Sequence, residues 1–249
     1  MLSRMRFELC NVRSRARKIA GEETIAMSAP VLFAHPAACS RVTISALEEI
    51  GGEYEIRWID ITSKKQYDAE YLALNRKAKV PTIVVDGTAL TENAAILNYL
   101  HLAHPEARLL PSADTLFKAA QGLSDLVWCS GMLHPIVRQI RAPQKWTSPG
   151  SDTDGIRSDG IEKLSKECSH IDARLSQSEW WYGADWSIVD VYLYWVCSTA
   201  AKGGFPVGNY PAISAHAQRV RSRPSFQRTL AKEIAAVESE GIGIDPKTL

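Results

Sequence analysis

Cys39 stands where a thiol could do chemistry. It follows the apolar run Val31-Leu-Phe-Ala34 and the turn His35-Pro36-Ala37-Ala38, and it opens a helical pattern through Val42, Ile44, Ala46, Leu47 and Ile50. At a helix start, the dipole and the free N–H groups favour thiolate over thiol, which suits a nucleophile or a mixed-disulfide partner. A small buried cysteine without reactivity is the competing reading. His35 lies on the same turn, and His134 precedes Pro135 in the second half of the chain. Either His134 projects into a cleft as a donor or proton shuttle, or it is a packed, hydrogen-bonded residue.

A second group of residues is suited to binding. Proline has no N–H, so Pro81 belongs at a strand start or edge. A cis Val80-Pro81 bond would turn the Val80 amide and carbonyl outward, where an extended peptide could pair with them. Glu92 and Asn93 then open a helix, with Asn93 the expected N-cap and the free N–H groups behind it ready for a carboxylate. A ligand joining the two places would be a small peptide with one acidic end. A trans proline beside an ordinary capped helix is the alternative.

The elements that must carry these residues are legible. Thr82-Ile-Val-Val85 is β-branched and closes at Asp86-Gly87, so it reads as a strand, a tight turn and a short partner at Leu90-Thr91. Ala95, Ile96, Tyr99 and Leu100 mark the helix that follows. Upstream, Glu53–Ile61 alternates as a second strand, Gly51-Gly52 ends the first helix, and Tyr67–Leu74 is a short helix. The order β-α-β-α-β-β-α predicts helices packed on a sheet over residues 29–104. Residues 105–114 read as a linker, residues 115–240 as all-helical and 241–249 as a tail. A helix from Leu116 toward Ile140 is expected to kink at Pro135. Ser187-Ile-Val-Asp190 has the spacing of a capping box, with Trp186 and Val191 at the staple positions, ahead of an apolar helix to Ala201.

Composition narrows the function classes. The 249 residues are 45% hydrophobic and 23% charged with net charge +1, ordinary for a soluble globular protein and no case for a nucleic-acid or membrane-surface partner. No apolar run approaches the roughly 20 residues of a membrane span. Five scattered cysteines form neither a CxxC pair nor a disulfide framework, which predicts a reducing, cytoplasmic setting. Six scattered histidines without close ligand pairs argue against a metal site. Residues 1–28 carry Arg4, Arg6, Arg13, Arg15, Arg17 and Lys18, and read as a basic disordered extension, with a transit-like leader the alternative.

Together these pieces resemble the soluble glutathione S-transferase family, in particular its bacterial beta class, over about residues 29–230. Val80-Pro81 followed by Leu90-Thr-Glu-Asn-Ala-Ala-Ile96 looks like the family's cis-proline and Glu-Ser glutathione site. Phe33-Ala-His-Pro-Ala-Ala-Cys-Ser40 is similar to the beta-class turn, with the active-site cysteine at Cys39. Met132-Leu-His134 matches the helix supplying a histidine, and Gly183–Leu193 looks like the second-domain folding motif.

The resemblance implies a thioredoxin-like domain joined to an all-helical domain. It also implies a homodimer with glutathione as co-substrate, no tightly bound cofactor and an apolar electrophile as second substrate. Val80 would pair with the cysteinyl backbone of glutathione, Glu92 and Asn93 would hold the γ-glutamyl end, and Lys64, or Lys65, the glycyl carboxylate. Asn93 replaces the usual serine, and Ala34, Ala37 and Ala38 stand where relatives carry a tyrosine or serine hydroxyl. Thiol activation then falls to Cys39 or nearby backbone amides, with conjugation, thiol exchange and peroxide reduction as candidate reactions. A non-catalytic binding or assembly module on the same fold is the competing class.

Overall fold

The computed structural model describes residues 29–249; the expected basic extension lies outside the described residues. Four strands, β1 (Val31–Ala34), β2 (Glu55–Trp58), β3 (Thr82–Val85) and β4 (Thr88–Thr91), form one sheet in the order β2-β1-β3-β4. β1 runs parallel to β2 and antiparallel to β3, with Leu32 opposite both Ile56 and Ile83. β2 covers less than its alternating pattern suggested, because only Glu55–Trp58 find partners on β1. β3 and β4 close through Asp86 and Gly87, both at positive φ, the backbone that a tight hairpin turn requires.

Helix α1 (Ser40–Ile50) crosses from β1 to β2 and stops at left-handed Gly51. After the short α2 (Ala69–Leu74) and the β3-β4 hairpin, α3 (Asn93–Ala103) packs against α1. The remainder is helical: α4 (Leu116–Trp128), α5 (His134–Arg141), α6 (Asp154–Leu175), α7 (Ile188–Ala201), α8 (Pro211–Ser222) and α9 (Pro224–Ser239). The fold is therefore a thioredoxin-like α/β layer joined to an all-α layer. Among the described residues no helix is long and apolar enough to cross a membrane.

The helix expected to run from Leu116 toward Ile140 is interrupted just before Pro135. Cys129–Leu133 winds as a π-helical segment between α4 and α5, so Pro135 falls in the first turn of α5, where its missing N–H costs nothing. α7 is buried nearly throughout and begins as its spacing indicated. The Ser187 N–H and hydroxyl donate to Asp190 Oδ2, both at 2.9 Å. The stretch after α9 also folds back: Ile242 and Leu249 bury against Val237, and Arg41 Nη1 donates to the Leu249 carbonyl at 3.3 Å.

Candidate active site

Cys39 caps α1 at the end of the turn leaving β1, and the helical layer holds that turn from two sides. Trp195 Nε1 on α7 donates to the Ala37 carbonyl at 3.0 Å. Glu233 Oε1 on α9 accepts the Ala37 N–H at 3.1 Å. Glu233 is fully buried and also takes the Arg41 guanidinium, with Nε at 2.8 Å and Nη2 closer. Ala37 sits at φ +62°, a left-handed conformation that costs a non-glycine residue energy, so these tethers fix a turn the chain would not hold alone.

The thiol itself is not the thiolate its helix-start position suggested. Cys39 is only 8% exposed, and burial pushes its pKa up to about 12 despite opposing help from Arg138 and Lys79. Desolvation of a buried anion here outweighs the helix dipole and two nearby cations. Cys39 Sγ instead sits 3.5 Å from the Val80 carbonyl as a donor. In this state it is an S–H donor.

Val80-Pro81 is cis. The segment is anchored by Tyr71 and Asn75, which sequence reading did not single out. The Tyr71 hydroxyl (2.6 Å) and Asn75 Nδ2 (2.8 Å) both donate to the Lys79 carbonyl, and Asn75 Nδ2 also reaches Thr82 Oγ1 at 2.9 Å. The Val80 N–H makes no hydrogen bond among the described residues, leaving one donor open beside the Cys39 thiol.

The helix cap expected at Asn93 falls one residue earlier. Glu92, at φ +74°, is the capping position, and Asn93 is already helical. The Asn93 side chain therefore points inward, where Nδ2 donates to the Cys39 carbonyl (3.1 Å) and Oδ1 accepts from Thr43 (2.6 Å). With its side chain spent on tying α3 to α1, Asn93 can offer a ligand only its backbone. Its N–H and those of Ala94 and Ala95 make no hydrogen bond among the described residues. The exposed Glu92 carboxylate stands beside them, 2.6 Å from Lys77 Nζ.

His35 lies at the start of the same turn. It is 3% exposed, and its Nδ1 bonds the Ile59 carbonyl at 2.9 Å; burial lowers its pKa. Its bond steadies the loop leading to Lys64, which is exposed, at φ +63° and with no side-chain partner among the described residues, whereas Lys65 pairs with Asp68 at 3.5 Å. His134 opens α5 with its ring 4.5 Å from the Trp195 ring, edge on. Since Trp195 holds the Ala37 turn, His134 and Cys39 come to one region. Burial, then Arg138 and Lys79, lower the His134 pKa to about 4, so its imidazole is neutral.

The sequence profile described as "Glutathione S-transferase, N-terminal domain" matches residues 31–101, the span carrying Cys39, Val80-Pro81, Glu92 and Asn93. Among curated proteins, glutathione S-transferase GstA of Escherichia coli O157:H7 is 28% identical over 206 residues, covering 81% of this chain and 98% of that protein. A beta-class glutathione S-transferase of Sphingomonas chungbukensis superposes with TM-score 0.71 at 29% identity, covering 82% of this chain and 98% of that one. The chain is similar to soluble glutathione S-transferases, and residues 31–101 match their N-terminal domain. The chain also matches a sphingomonad glutathione S-transferase solved in complex with glutathione. That match has TM-score 0.71 and 28% identity, again over 82% of this chain and 98% of the other.

Proposed function

We propose that this glutathione transferase binds the tripeptide along the Val80 edge and transfers it to an electrophile held against the helical layer. The observation carrying this reading is the convergence of unbonded donors. The Val80 N–H can take the cysteinyl carbonyl of glutathione. The α3 amides can take the γ-glutamyl carboxylate, with the Glu92 carboxylate for its ammonium. Lys64 is the cation for the glycyl carboxylate. In this pose the glutathione sulfur lies beside Cys39 at the N-terminus of α1.

The chemistry follows from the state of Cys39. As an S–H donor it can swing from the Val80 carbonyl to the glutathione sulfur, and with the α1 dipole it then favours the glutathione thiolate. The thiol proton leaves to solvent. The thiolate lone pair forms a C–S bond to the electrophilic carbon, and the leaving group departs with the pair of the broken bond. Neutral His134 and the Trp195 ring provide a wall for the electrophile's apolar part. Thiol exchange through Cys39 itself is the second reading, and it requires the thiol to become exposed and ionised.

A homodimer and a cytoplasmic setting belong to the same proposal. Leu116 is 92% and Phe117 74% exposed on α4, and Leu123 and Val127 extend that face, an apolar strip suited to a second copy. The four described cysteines are unpaired, as a reducing compartment would leave them.

Replacing Cys39 with alanine and assaying both 1-chloro-2,4-dinitrobenzene conjugation and glutathione-dependent disulfide reduction tests the reading. Conjugation should fall but remain measurable; disappearance of disulfide exchange with conjugation unchanged would favour the second reading, exchange through Cys39 itself. No glutathione-dependent turnover by the wild-type enzyme with either substrate would refute it and favour a non-catalytic module.

A further inference from the structure

The cations whose field reaches Cys39 are Arg138 and Lys79, and the buried Glu233 on the same turn is already taken by Arg41. Arg138 follows His134 by four residues on α5, so it lies on the same face about 6 Å further along the axis. That face meets the Cys39 turn through the His134–Trp195 contact and the Trp195–Ala37 bond. Lys79 immediately precedes Val80, whose carbonyl takes the Cys39 thiol. Lys145, on the 3-10 turn after α5, completes the group.

None of the three cationic side chains has a hydrogen bond or ion pair among the described residues. Arg138 is half-buried, where an unpaired guanidinium is costly. Each is also felt by its neighbours. Burial and then Arg138 and Lys79 lower the Lys145 pKa, and the same two cations add to burial at His134. The acid whose field reaches Cys39 is Glu92, and it is already paired with Lys77.

The proposed pose of glutathione leaves this charge unmet. Its γ-glutamyl end is served by Glu92 and the α3 amides, and its glycyl carboxylate by Lys64. Only the thiolate would face the three cations, so positive charge remains in excess where the second substrate must sit. We propose that the electrophile carries an anionic group, a carboxylate or its equivalent, bound by the Arg138 guanidinium with Lys79 and Lys145 flanking it. This rests on the glutathione pose above and narrows its second substrate: an apolar reacting part against Trp195 and His134, with an acid arm toward Arg138. Arginine suits the task because its planar fork binds a carboxylate through two parallel bonds.

The test uses a matched pair of electrophiles, 4-chloro-3,5-dinitrobenzoate and its carboxamide. Each loses chloride to glutathione, and each rate is divided by its uncatalysed rate. The quantity read is the acid-to-amide ratio of kcat/KM within each enzyme, so a general loss of activity cancels. The wild type should favour the acid by about tenfold or more, the size of one charge-assisted contact. Arg138→Met should bring the ratio near one, Arg138→Lys should restore part of it, and the wild-type ratio should fall as salt is raised.

A wild-type ratio near one would overturn the proposal. So would an unchanged ratio in Arg138→Met accompanied by weaker glutathione binding, since Arg138 would then serve the tripeptide's own carboxylate. If neither electrophile turns over and glutathione does not bind in a fluorescence titration, the glutathione pose fails and takes the inference with it. If glutathione binds and both turn over without preference, the inference alone fails.

Discussion

Replacing Asp190 with alanine should unfold this protein sooner without touching its glutathione site. The carboxylate is fully buried at the first turn of α7, the helix around which the helical layer packs. It accepts four donors: the Ser187 N–H and hydroxyl on Oδ2 (2.9 Å each), and the Trp181 N–H (2.7 Å) and His216 Nε2 (2.9 Å) on Oδ1. Alanine would leave two backbone N–H groups and a ring nitrogen buried without an acceptor. Each such group costs about 1–3 kcal/mol.

These costs overlap, so a loss of about 3–5 kcal/mol is expected, or roughly 10 °C in Tm for a chain of this size. Asp190→Asn keeps the shape and one acceptor oxygen and should lose less. Urea denaturation followed by tryptophan fluorescence reads the change as a lower midpoint at constant slope. Glutathione affinity of the folded variant should match the wild type. A midpoint shift equivalent to less than about 1 kcal/mol would refute the claim that this carboxylate holds α7 in place.

The site yields further predictions. Cys39 in the free enzyme should alkylate slowly with iodoacetamide, and the rate should climb about tenfold per pH unit to pH 10, because only thiolate reacts and the pKa is raised to about 12. A rate that levels off below pH 8 would show an ionised thiol instead. His134 has its pKa lowered to about 4, so it stays neutral as pH falls through the ordinary histidine range and gains its proton only near pH 4. Its ring resonances should therefore not titrate between pH 8 and 5.5, and a midpoint near 6.5 would contradict the packing. Glu92→Gln should weaken glutathione binding about tenfold by removing the partner for its ammonium; unchanged affinity by calorimetry would move the γ-glutamyl end elsewhere.

The sheet-forming part of this chain is readable because its determinants are local. The β-branched run after Pro81, the Asp86-Gly87 turn and the glycine pair at the end of α1 each act within a few residues. The capping box at Ser187 and Asp190 is local in the same sense, although its use by Trp181 and His216 is not. Asn93 shows where such reading fails. Its type and place suggest a cap, but the left-handed turn at Glu92 shifts the helix start by one residue and sends the side chain into α1.

Cys39 fails for the opposite reason. Its helix start is a local fact, whereas the burial that keeps it protonated comes largely from chain far downstream. Glu233, Arg138 and Trp195 gave no signal for that reason: each acts across more than ninety residues, and nothing near them in sequence marks them as neighbours of a thiol.

The structure of this enzyme crystallised with glutathione tests the central claim most directly. The account predicts the cysteinyl carbonyl on the Val80 N–H, the γ-glutamyl carboxylate on the amides of Asn93 and Ala94, and the sulfur in contact with Cys39. Glutathione bound elsewhere, or with its sulfur turned away from Cys39 and the Val80 N–H left open, would contradict it.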